Sequence, residues 1–218
     1  MIDEKKDEIM EAIWKAGENK EYAIDAIKKR CSVDFSDSDI VKLEKTGCVV
    51  SNKDKILFTE DGKKCAEAII RRHRLAEVLV SSVLKLKNSS MEEVACKVEH
   101  CLEPEVEESI CILLGHPEMC PDGNYIPKGK CCTKRLKQIN NTVVSLSELA
   151  PSDVGKIAYI KPDSHSSMHQ LMSIGLHPGV NVTVHRKTPA FCIKFENTEL
   201  AIDDSFANNI FVWKQSRT

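Results

Sequence analysis

Apolar residues recur at helical spacing in the first half of the chain and alternate with polar residues in much of the second half. Three amphipathic segments come first: residues 3–16, 21–31 and 37–46. After them, residues 48–59 alternate around a polar turn, which is typical of a β-hairpin. Three helices followed by a two-stranded hairpin predict a winged helix-turn-helix over residues 1–60.

A helical region follows, and the starts of its helices carry clear sequence signals. Thr59 precedes a long amphipathic segment that we expect to continue to about residue 85. Ser89 and its neighbour can cap a second helix, which has acidic residues in its first turn. Pro104 begins a third helix. These helices predict a second domain over residues 61–116.

The amino-acid composition and pattern change twice in the last part of the chain. Residues 117–143 are rich in Pro, Gly, Lys and Cys, as in a linker. Residues 144–218 contain short alternating runs bounded by turn residues, and this spacing predicts a five-stranded β-barrel of the SH3 type. The sequence therefore predicts an α+β fold class with four segments.

Composition and charge narrow the class of protein only slightly. The chain has 218 residues, 42% hydrophobic and 29% charged, with a net charge of -2, which is ordinary for a globular protein. No apolar run approaches the roughly 20 residues that span a bilayer, and the acidic N-terminus does not resemble a signal peptide. We therefore expect a cytoplasmic protein with no membrane partner. There, its ten cysteines are more often metal ligands or reactive thiols than disulfides.

One helical segment places metal-binding side chains on a single face. Glu92, Cys96, Glu99 and His100 are three or four residues apart, so a helix turns them in the same direction. Thiolate, imidazole and carboxylate ligands together suit a transition metal better than Mg²⁺ or Ca²⁺. For one helix alone, a solvated face with a stray cysteine is the simpler interpretation. His73 and Glu77 repeat the spacing on a second helix. Two such faces favour a metal site over a solvated face.

The order of motifs resembles a known protein family. HRLAE on one helix, ACKVEH on the next, and then GHP and GNYIP resemble the diphtheria toxin repressor family of metal-dependent transcriptional regulators. The tail, with LSELAPSDVGKIAYIKP, resembles the FeoA-type SH3-like module that many members carry. The resemblance covers residues 5–215. It implies a helical metal-binding and dimerisation domain between a winged helix and an SH3-like domain.

The resemblance implies two metal sites. It makes Cys96, Glu99 and His100 the core of the activating site, completed by Glu8, and Glu11 matches a second carboxylate of manganese-dependent members. The cysteine favours Fe²⁺ and the two N-terminal carboxylates favour Mn²⁺, so both ions stay open.

The second, ancillary site departs from the family pattern. His73 and Glu77 match it, and Glu92 stands where iron-dependent members have a histidine. The family also takes ligands from the SH3-like module. Serines occupy those aligned positions here, which leaves Asp163, His165 or His169 as the candidate replacement.

The resemblance further implies a homodimer that binds a double-stranded DNA operator and usually represses metal-uptake genes. The candidate DNA-contact residues have a hydroxyl group or a positive charge: Ser36, Ser38, Lys42, Lys28, Lys29, Arg30, Lys53 and Lys55. However, residues 1–60 contain 11 Lys and Arg but 14 Asp and Glu. Asp37 and Asp39, at the start of the predicted recognition helix, would repel phosphates. Operator binding is therefore either atypical or lost.

Cysteines in the predicted linker indicate a further site. We expect Cys101, Cys120, Cys131 and Cys132 to hold an iron–sulfur cluster or Zn²⁺, although their spacing matches neither a zinc ribbon nor a ferredoxin. Unpaired loop cysteines are the alternative.

The sequence bears on two other classes of function. A metal sensor or redox-sensing iron–sulfur protein of the same fold, with weakened DNA binding, is the alternative that the acidic N-terminal region leaves open. An enzyme is not expected, because the chain has no nucleophile elbow, phosphate-binding loop or H-E-x-x-H motif.

Overall fold

The computed structural model describes residues 4–52, 55–84, 86, 89–134, 143–161, 169 and 171–214. The chain divides into two compact units. The first contains residues 1–77, 89–103 and 118–127, and the second contains residues 78–88, 104–117 and 128–218. Lys53, Asp163 and His165, three of the predicted site residues, lie outside the described residues.

The first unit begins with the three helices and the hairpin that the sequence predicts. The elements are α1 (Glu4–Glu18), α2 (Ile24–Arg30), α3 (Asp37–Lys45), β1 (Val49–Asn52) and β2 (Lys55–Phe58). The two strands are antiparallel, with Val50 opposite Leu57. The apolar faces of these elements form one buried core, which also includes Ala66 and Ile69 from the helix that follows.

That helix, α4 (Glu60–Val78), starts in close contact with the hairpin. The backbone amide of Gly62 donates to the Thr59 hydroxyl, a helix cap with a distance of 2.9 Å. A Cβ atom at Gly62 would lie 1.6 Å from the carbonyl oxygen of Cys48, so only glycine allows this approach. The end of α4 continues as a π-helical turn over Leu79–Val83, which the sequence pattern did not predict.

Three further helices follow: α5 (Ser89–Glu99), α6 (Pro104–Leu113) and α7 (Lys130–Lys134). α6 starts at the predicted Pro104, and α5 starts at Ser89, which was predicted as its cap. The third falls inside the predicted linker, because five residues are too few to show helical periodicity. Among the described helices, none is long and apolar enough to cross a membrane.

The second unit contains an antiparallel sheet of six strands. They are β3 (Val143–Ser145), β4 (Val154–Ile160), β5 (Asn181–Arg186), β6 (Phe191–Phe195), β7 (Thr198–Ile202) and β8 (Ile210–Lys214). Their order is β3-β8-β4-β5-β6-β7, and a short helix α8 (Asp204–Asn208) precedes β8. The predicted number of five strands was wrong by one, since three residues of β3 are too few to show alternation. The architecture is a mixture of helices with a C-terminal sheet.

Candidate metal centre

One group of possible metal ligands joins α1 to α5. Cys96 and Glu99 lie on α5, His100 follows its last residue, and Glu8 lies on α1. Their ligand atoms all lie within 4.8 Å of one another. The Cys96 thiol donates to Glu8 Oε1 at 2.8 Å, and His100 Nε2 lies 2.9 Å from the same oxygen. The hydroxyl of Ser32 donates to the other oxygen of Glu8.

A second group lies beside the first and shares Glu99 with it. It consists of Glu11, His73 and Glu99, again with ligand atoms within 4.8 Å of one another. His73 Nδ1 lies 2.7 Å from Glu99 Oε2 and 3.5 Å from Glu11 Oε1. On the other side of the ring, His73 Nε2 lies 3.2 Å from Glu77 Oε1. One carboxylate of α5 therefore links two groups that draw on three helices.

The carboxylates of both groups and His73 are buried, although carboxylates rarely are unless they are paired, whereas Cys96 and His100 are half-buried. His73 and Glu99 are each only 2% exposed, and Glu11 is 5% exposed. Among the described residues, Glu11 Oε2, Glu77 Oε2 and Glu99 Oε1 are buried with no hydrogen-bond partner. Burying a carboxylate oxygen without a partner is unfavourable. A bound cation would be the missing partner of these three oxygens. A divalent transition metal, for which thiolate, imidazole and carboxylate are suitable ligands, fits both groups.

The surroundings shift the pKa values of the ligands. Burial, together with the nearby Glu8 carboxylate, raises the pKa of the Cys96 thiol to about 12. Burial alone would lower the pKa of His73, but hydrogen bonds to Glu77 and Glu99 outweigh it and raise this pKa to about 10. Burial also raises the pKa of Glu99. In this arrangement Cys96 and His73 hold protons that a bound cation must displace.

Lys15 is a residue of this centre that the sequence analysis missed. Its Nζ lies 2.5 Å from Glu11 Oε1 and 3.3 Å from His73 Nε2. The ammonium therefore offsets part of the negative charge of the second group. The spacing of four residues between Glu11 and Lys15 on α1 was the sequence feature that could have indicated this ion pair.

Glu92 does not belong to either group. Its side chain is 75% exposed, and Oε1 lies 3.9 Å from Lys15 Nζ. The ancillary role that the resemblance implies for Glu92 therefore stays a prediction.

The structure distributes the four cysteines of the predicted cluster differently from the expectation. Cys101 is exposed and Cys120 is buried, and both belong to the first compact unit. Cys131 and Cys132 belong to the second unit, where they are grouped with Cys111 and a histidine. Among the described residues this group does not include Cys101 or Cys120, and the predicted set of four cysteines stays a prediction.

The expectation for the acidic start of α3 needs one correction. Asp37 is exposed, as expected, but Asp39 is buried and does not point outwards. Asp39 accepts a hydrogen bond from the backbone amide of Ser36 at 3.1 Å and pairs with Lys5 at 2.9 Å. The hydrogen bond from Lys5, followed by that from the Ser36 backbone, lowers the pKa of Asp39. This carboxylate therefore stabilises the start of α3 and its contact with α1.

Some of the described DNA-contact candidates already interact with other side chains of the protein. Those at the surface are Ser36, Ser38, Lys28, Lys29, Arg30, Lys42 and Lys55. Arg30 pairs with Glu21 at 2.9 Å, and Lys42 lies 3.3 Å from Asp39. Lys28 lies 5.8 Å from the centre of the Phe35 ring, a cation–π distance.

Comparison with known proteins identifies the family. Residues 59–128 match the family described as iron dependent repressor, metal binding and dimerisation domain, and residues 144–214 match the FeoA domain. A diphtheria toxin repressor from Corynebacterium jeikeium is 33% identical over 195 residues, covering 80% of this chain and 81% of that protein. The diphtheria toxin repressor of Corynebacterium diphtheriae is 35% identical over 89 residues, covering 40% of this chain and only 39% of its own length.

Solved structures agree with this at the level of the fold. A metal-dependent transcriptional regulator, MtsR, has a TM-score of 0.51 at 22% identity, covering 95% of this chain and 97% of that one. The manganese regulator SloR has a TM-score of 0.50 at 19% identity, covering 97% of this chain and 99% of that one. From its sequence match along four fifths of its length, the chain belongs to the diphtheria toxin repressor family.

Proposed function

We propose that this protein is a DNA-binding transcriptional regulator activated by Fe²⁺ or Mn²⁺, and that it represses metal-uptake genes. The observation that carries the proposal is the convergence of Glu8 with Cys96, Glu99 and His100. The names of its relatives, diphtheria toxin repressor and iron-dependent repressor IdeR, support the same function. They favour it over a sensor without DNA binding and over an enzyme.

In the proposed mechanism, metal binding fixes α1 relative to α5. When bound, the ion supplies ligand bonds that join α1 to α5. Glu8 connects the ion to the segment between α2 and α3, because its second oxygen accepts a hydrogen bond from Ser32 in that segment. The Cys31 thiol also lies 3.7 Å from the Glu8 carbonyl oxygen. The ligand and the segment before α3 are therefore directly connected, and metal binding favours one arrangement of the N-terminal helices.

The finer architecture belongs to the same proposal. We assign residues 1–60 to a winged helix-turn-helix, residues 61–116 to metal binding and dimerisation, residues 117–143 to a linker and residues 144–218 to an SH3-like barrel. Two copies would place their α3 helices in successive major grooves, about 34 Å apart. The match of residues 59–128 to a metal binding and dimerisation domain supports the dimer.

The ligand chemistry leaves both ions in the proposal. A thiolate such as that of Cys96 favours the softer Fe²⁺, and carboxylates such as Glu8 and Glu11 favour the harder Mn²⁺. The ancillary site would be the group of Glu11, His73 and Glu99, and Glu77 lies next to it.

The function can be tested by selecting DNA with the purified protein. Genomic fragments are incubated with the full chain at fixed salt, in the presence of Fe²⁺ or Mn²⁺ under anaerobic conditions, or with a chelator. We expect recovery of specific fragments only with metal, because the metal-free chain lacks the restraint on α1. Equal recovery with the chelator would contradict metal dependence, and no specific fragment with either metal would contradict DNA binding.

Asp37 is expected to weaken DNA binding. Asp37→Ser removes an exposed negative charge from the start of α3, so affinity for arbitrary DNA should rise roughly threefold to tenfold at low salt. Fluorescence anisotropy with a labelled duplex measures the change. Unchanged affinity would mean that this end of α3 does not lie against DNA.

Asp39→Ser is the matched comparison for that experiment. It removes the same charge two residues later, but it also removes the hydrogen bond to Ser36 and the ion pair with Lys5. We expect a lower melting temperature for Asp39→Ser and an unchanged one for Asp37→Ser.

Lys15 is expected to limit metal binding at the second group. In Lys15→Met the ammonium no longer competes for Glu11 and His73, so Mn²⁺ should bind there roughly tenfold more tightly. Equilibrium dialysis measures the second binding constant. Lys97→Met, which removes an exposed lysine paired with Glu93, is the control. The same Mn²⁺ affinity in both variants would contradict this role.

A further inference from the structure

Four metal-binding side chains of the second compact unit form a separate cluster. Cys111, His116, Cys131 and Cys132 have one ligand atom each, and these four atoms lie within 4.8 Å of one another. Cys111 is fully buried and Cys131 is 5% exposed. None of the four belongs to the metal centre around Glu99.

The end of α6 turns His116 back onto Cys111. The helix ends at Leu113, and Gly115 and His116 both have left-handed backbone conformations, with φ values of 76° and 57°. Such a conformation is uncommon for a residue with a side chain. The His116 amide donates to the carbonyl oxygen of Cys111 at 2.8 Å, which closes the turn. As a result, Nδ1 of the imidazole lies 3.4 Å from Cys111 Sγ.

The short helix α7 brings in two more sulfurs. Its adjacent residues Cys131 and Cys132 have Sγ atoms 3.9 Å apart, and Cys132 Sγ lies 3.7 Å from Cys111 Sγ. The first and last members of the cluster, Cys111 and Cys132, are thus 21 residues apart in sequence.

These three distances match edges of a tetrahedron around one zinc ion, and the other three pairs of ligand atoms lie within 4.8 Å. With Zn–S bonds of about 2.3 Å, two sulfurs at tetrahedral corners are about 3.8 Å apart, and a sulfur and an imidazole nitrogen are about 3.6 Å apart. The observed sulfur pairs at 3.7 and 3.9 Å and the sulfur–nitrogen pair at 3.4 Å agree within about 0.2 Å. Three thiols and one imidazole are a common ligand set of structural zinc sites.

We propose that Cys111, His116, Cys131 and Cys132 bind one structural Zn²⁺ ion. With four protein ligands the coordination shell is complete, so the site is closed and has no position for a substrate. Binding replaces the thiol protons, which leave to solvent, and no oxidation or reduction takes place.

The geometry favours one ion over an iron–sulfur cluster. A cluster has several irons between its thiolates, whereas sulfurs 3.7 and 3.9 Å apart share a single metal. The cluster types with four cysteine ligands also need one more thiolate than the three present here.

The consequence of zinc binding is a link between α6 and α7. The ion closes the chain between Cys111 and Cys131 into a loop, and it holds the short helix α7, which lacks the length to be stable alone. Because the unfolded chain lacks this preformed site, zinc binding stabilises the folded unit directly.

Zinc content of the full-length protein is the first test. We expect one Zn²⁺ per chain by elemental analysis after dialysis against a weak chelator. Cys132→Ser replaces the half-buried cysteine of the cluster, and it should bind zinc at least about 100-fold more weakly and melt at a lower temperature. Cys65→Ser, an exposed cysteine on α4, is the control and should keep its zinc. The variant Glu99→Ala/His100→Ala should also keep it, which separates this site from the proposed activating site.

Cobalt substitution of the wild-type chain gives a readout that does not depend on a variant folding. Co²⁺ replacing Zn²⁺ should give the visible and thiolate charge-transfer absorption of a tetrahedral site with sulfur ligands, and added Zn²⁺ should abolish it. The spectrum should persist in Glu99→Ala/His100→Ala.

Three outcomes would overturn the proposal. They are a chain that retains no zinc and gives no tetrahedral cobalt spectrum, a brown protein containing acid-labile sulfide, or a disulfide between Cys111 and Cys132 in anaerobically prepared protein.

Discussion

Replacing Glu99 and His100 together by alanine is expected to weaken binding of the activating metal by at least about 100-fold and to abolish metal-dependent DNA binding. Each contributes a ligand atom to the group with Glu8 and Cys96, and Glu99 is also shared with the second group. Loss of residues that only orient ligands already weakens metal binding by about 10- to 100-fold, so loss of two ligands should do more. Calorimetric titration with Mn²⁺ and a mobility shift with operator DNA measure the two effects.

The control for this variant is Glu93→Gln on the same helix. Glu93 is exposed and pairs with Lys97, so its loss should leave metal and DNA binding unchanged. Circular dichroism and size-exclusion chromatography establish that the double variant is folded and keeps its oligomeric state. A folded double variant with an undiminished response to metal would contradict the assignment of Glu99 and His100.

Glu8→Gln is expected to separate metal binding from DNA binding. Cys96, Glu99 and His100 still provide three ligands, so metal binds more weakly but saturates at higher concentration. The bond to α1 is lost, however, and with it the connection to Ser32. DNA affinity at saturating metal should therefore fall by about 5- to 150-fold, the usual range of coupling between two sites.

Saturating metal is essential to this second experiment, because only then does the DNA affinity report coupling. Glu4→Gln removes an exposed carboxylate from the first turn of α1 and serves as the control. If Glu8→Gln with saturating metal binds operator DNA as tightly as the wild type, Glu8 does not carry the response.

Much of the fold follows from local sequence signals, since helix and strand periodicity needs only neighbouring residues. α1 to α6 and the hairpin were predicted from periodicity and capping residues such as Thr59 and Pro104. α7 and β3 were missed because five and three residues are too short to show a period.

The metal centre was predictable only in part, because its residues come from distant positions. The spacing of Cys96, Glu99 and His100 reveals one face of a helix, and the resemblance supplied Glu8. That Glu99 is shared by two groups, and that Lys15 lies between Glu11 and His73, depends on how α1, α4 and α5 pack.

The cluster of Cys111, His116, Cys131 and Cys132 was not predicted either, because its members also come from separate parts of the sequence. Cys111 lies in the apolar run at the end of α6 and His116 lies in the GHP motif, so neither suggested a partnership with Cys131 and Cys132. The left-handed turn at Gly115 and His116 places the imidazole against Cys111, and α7 brings Cys132 to the same sulfur. The pattern of a cysteine, four residues, a histidine and later a cysteine pair was the available signal.

The most direct test of the account is the position of the activating metal in crystals of the full chain grown with Mn²⁺ or Fe²⁺. An anomalous difference map should have a peak bonded to Glu8, Cys96, Glu99 and His100, with metal–oxygen and metal–nitrogen distances of about 2.0–2.3 Å. α1 and α5 would then be joined by one ion, as the account requires. A peak that contacts α5 but not Glu8, or no peak in this group at saturating metal, would contradict it.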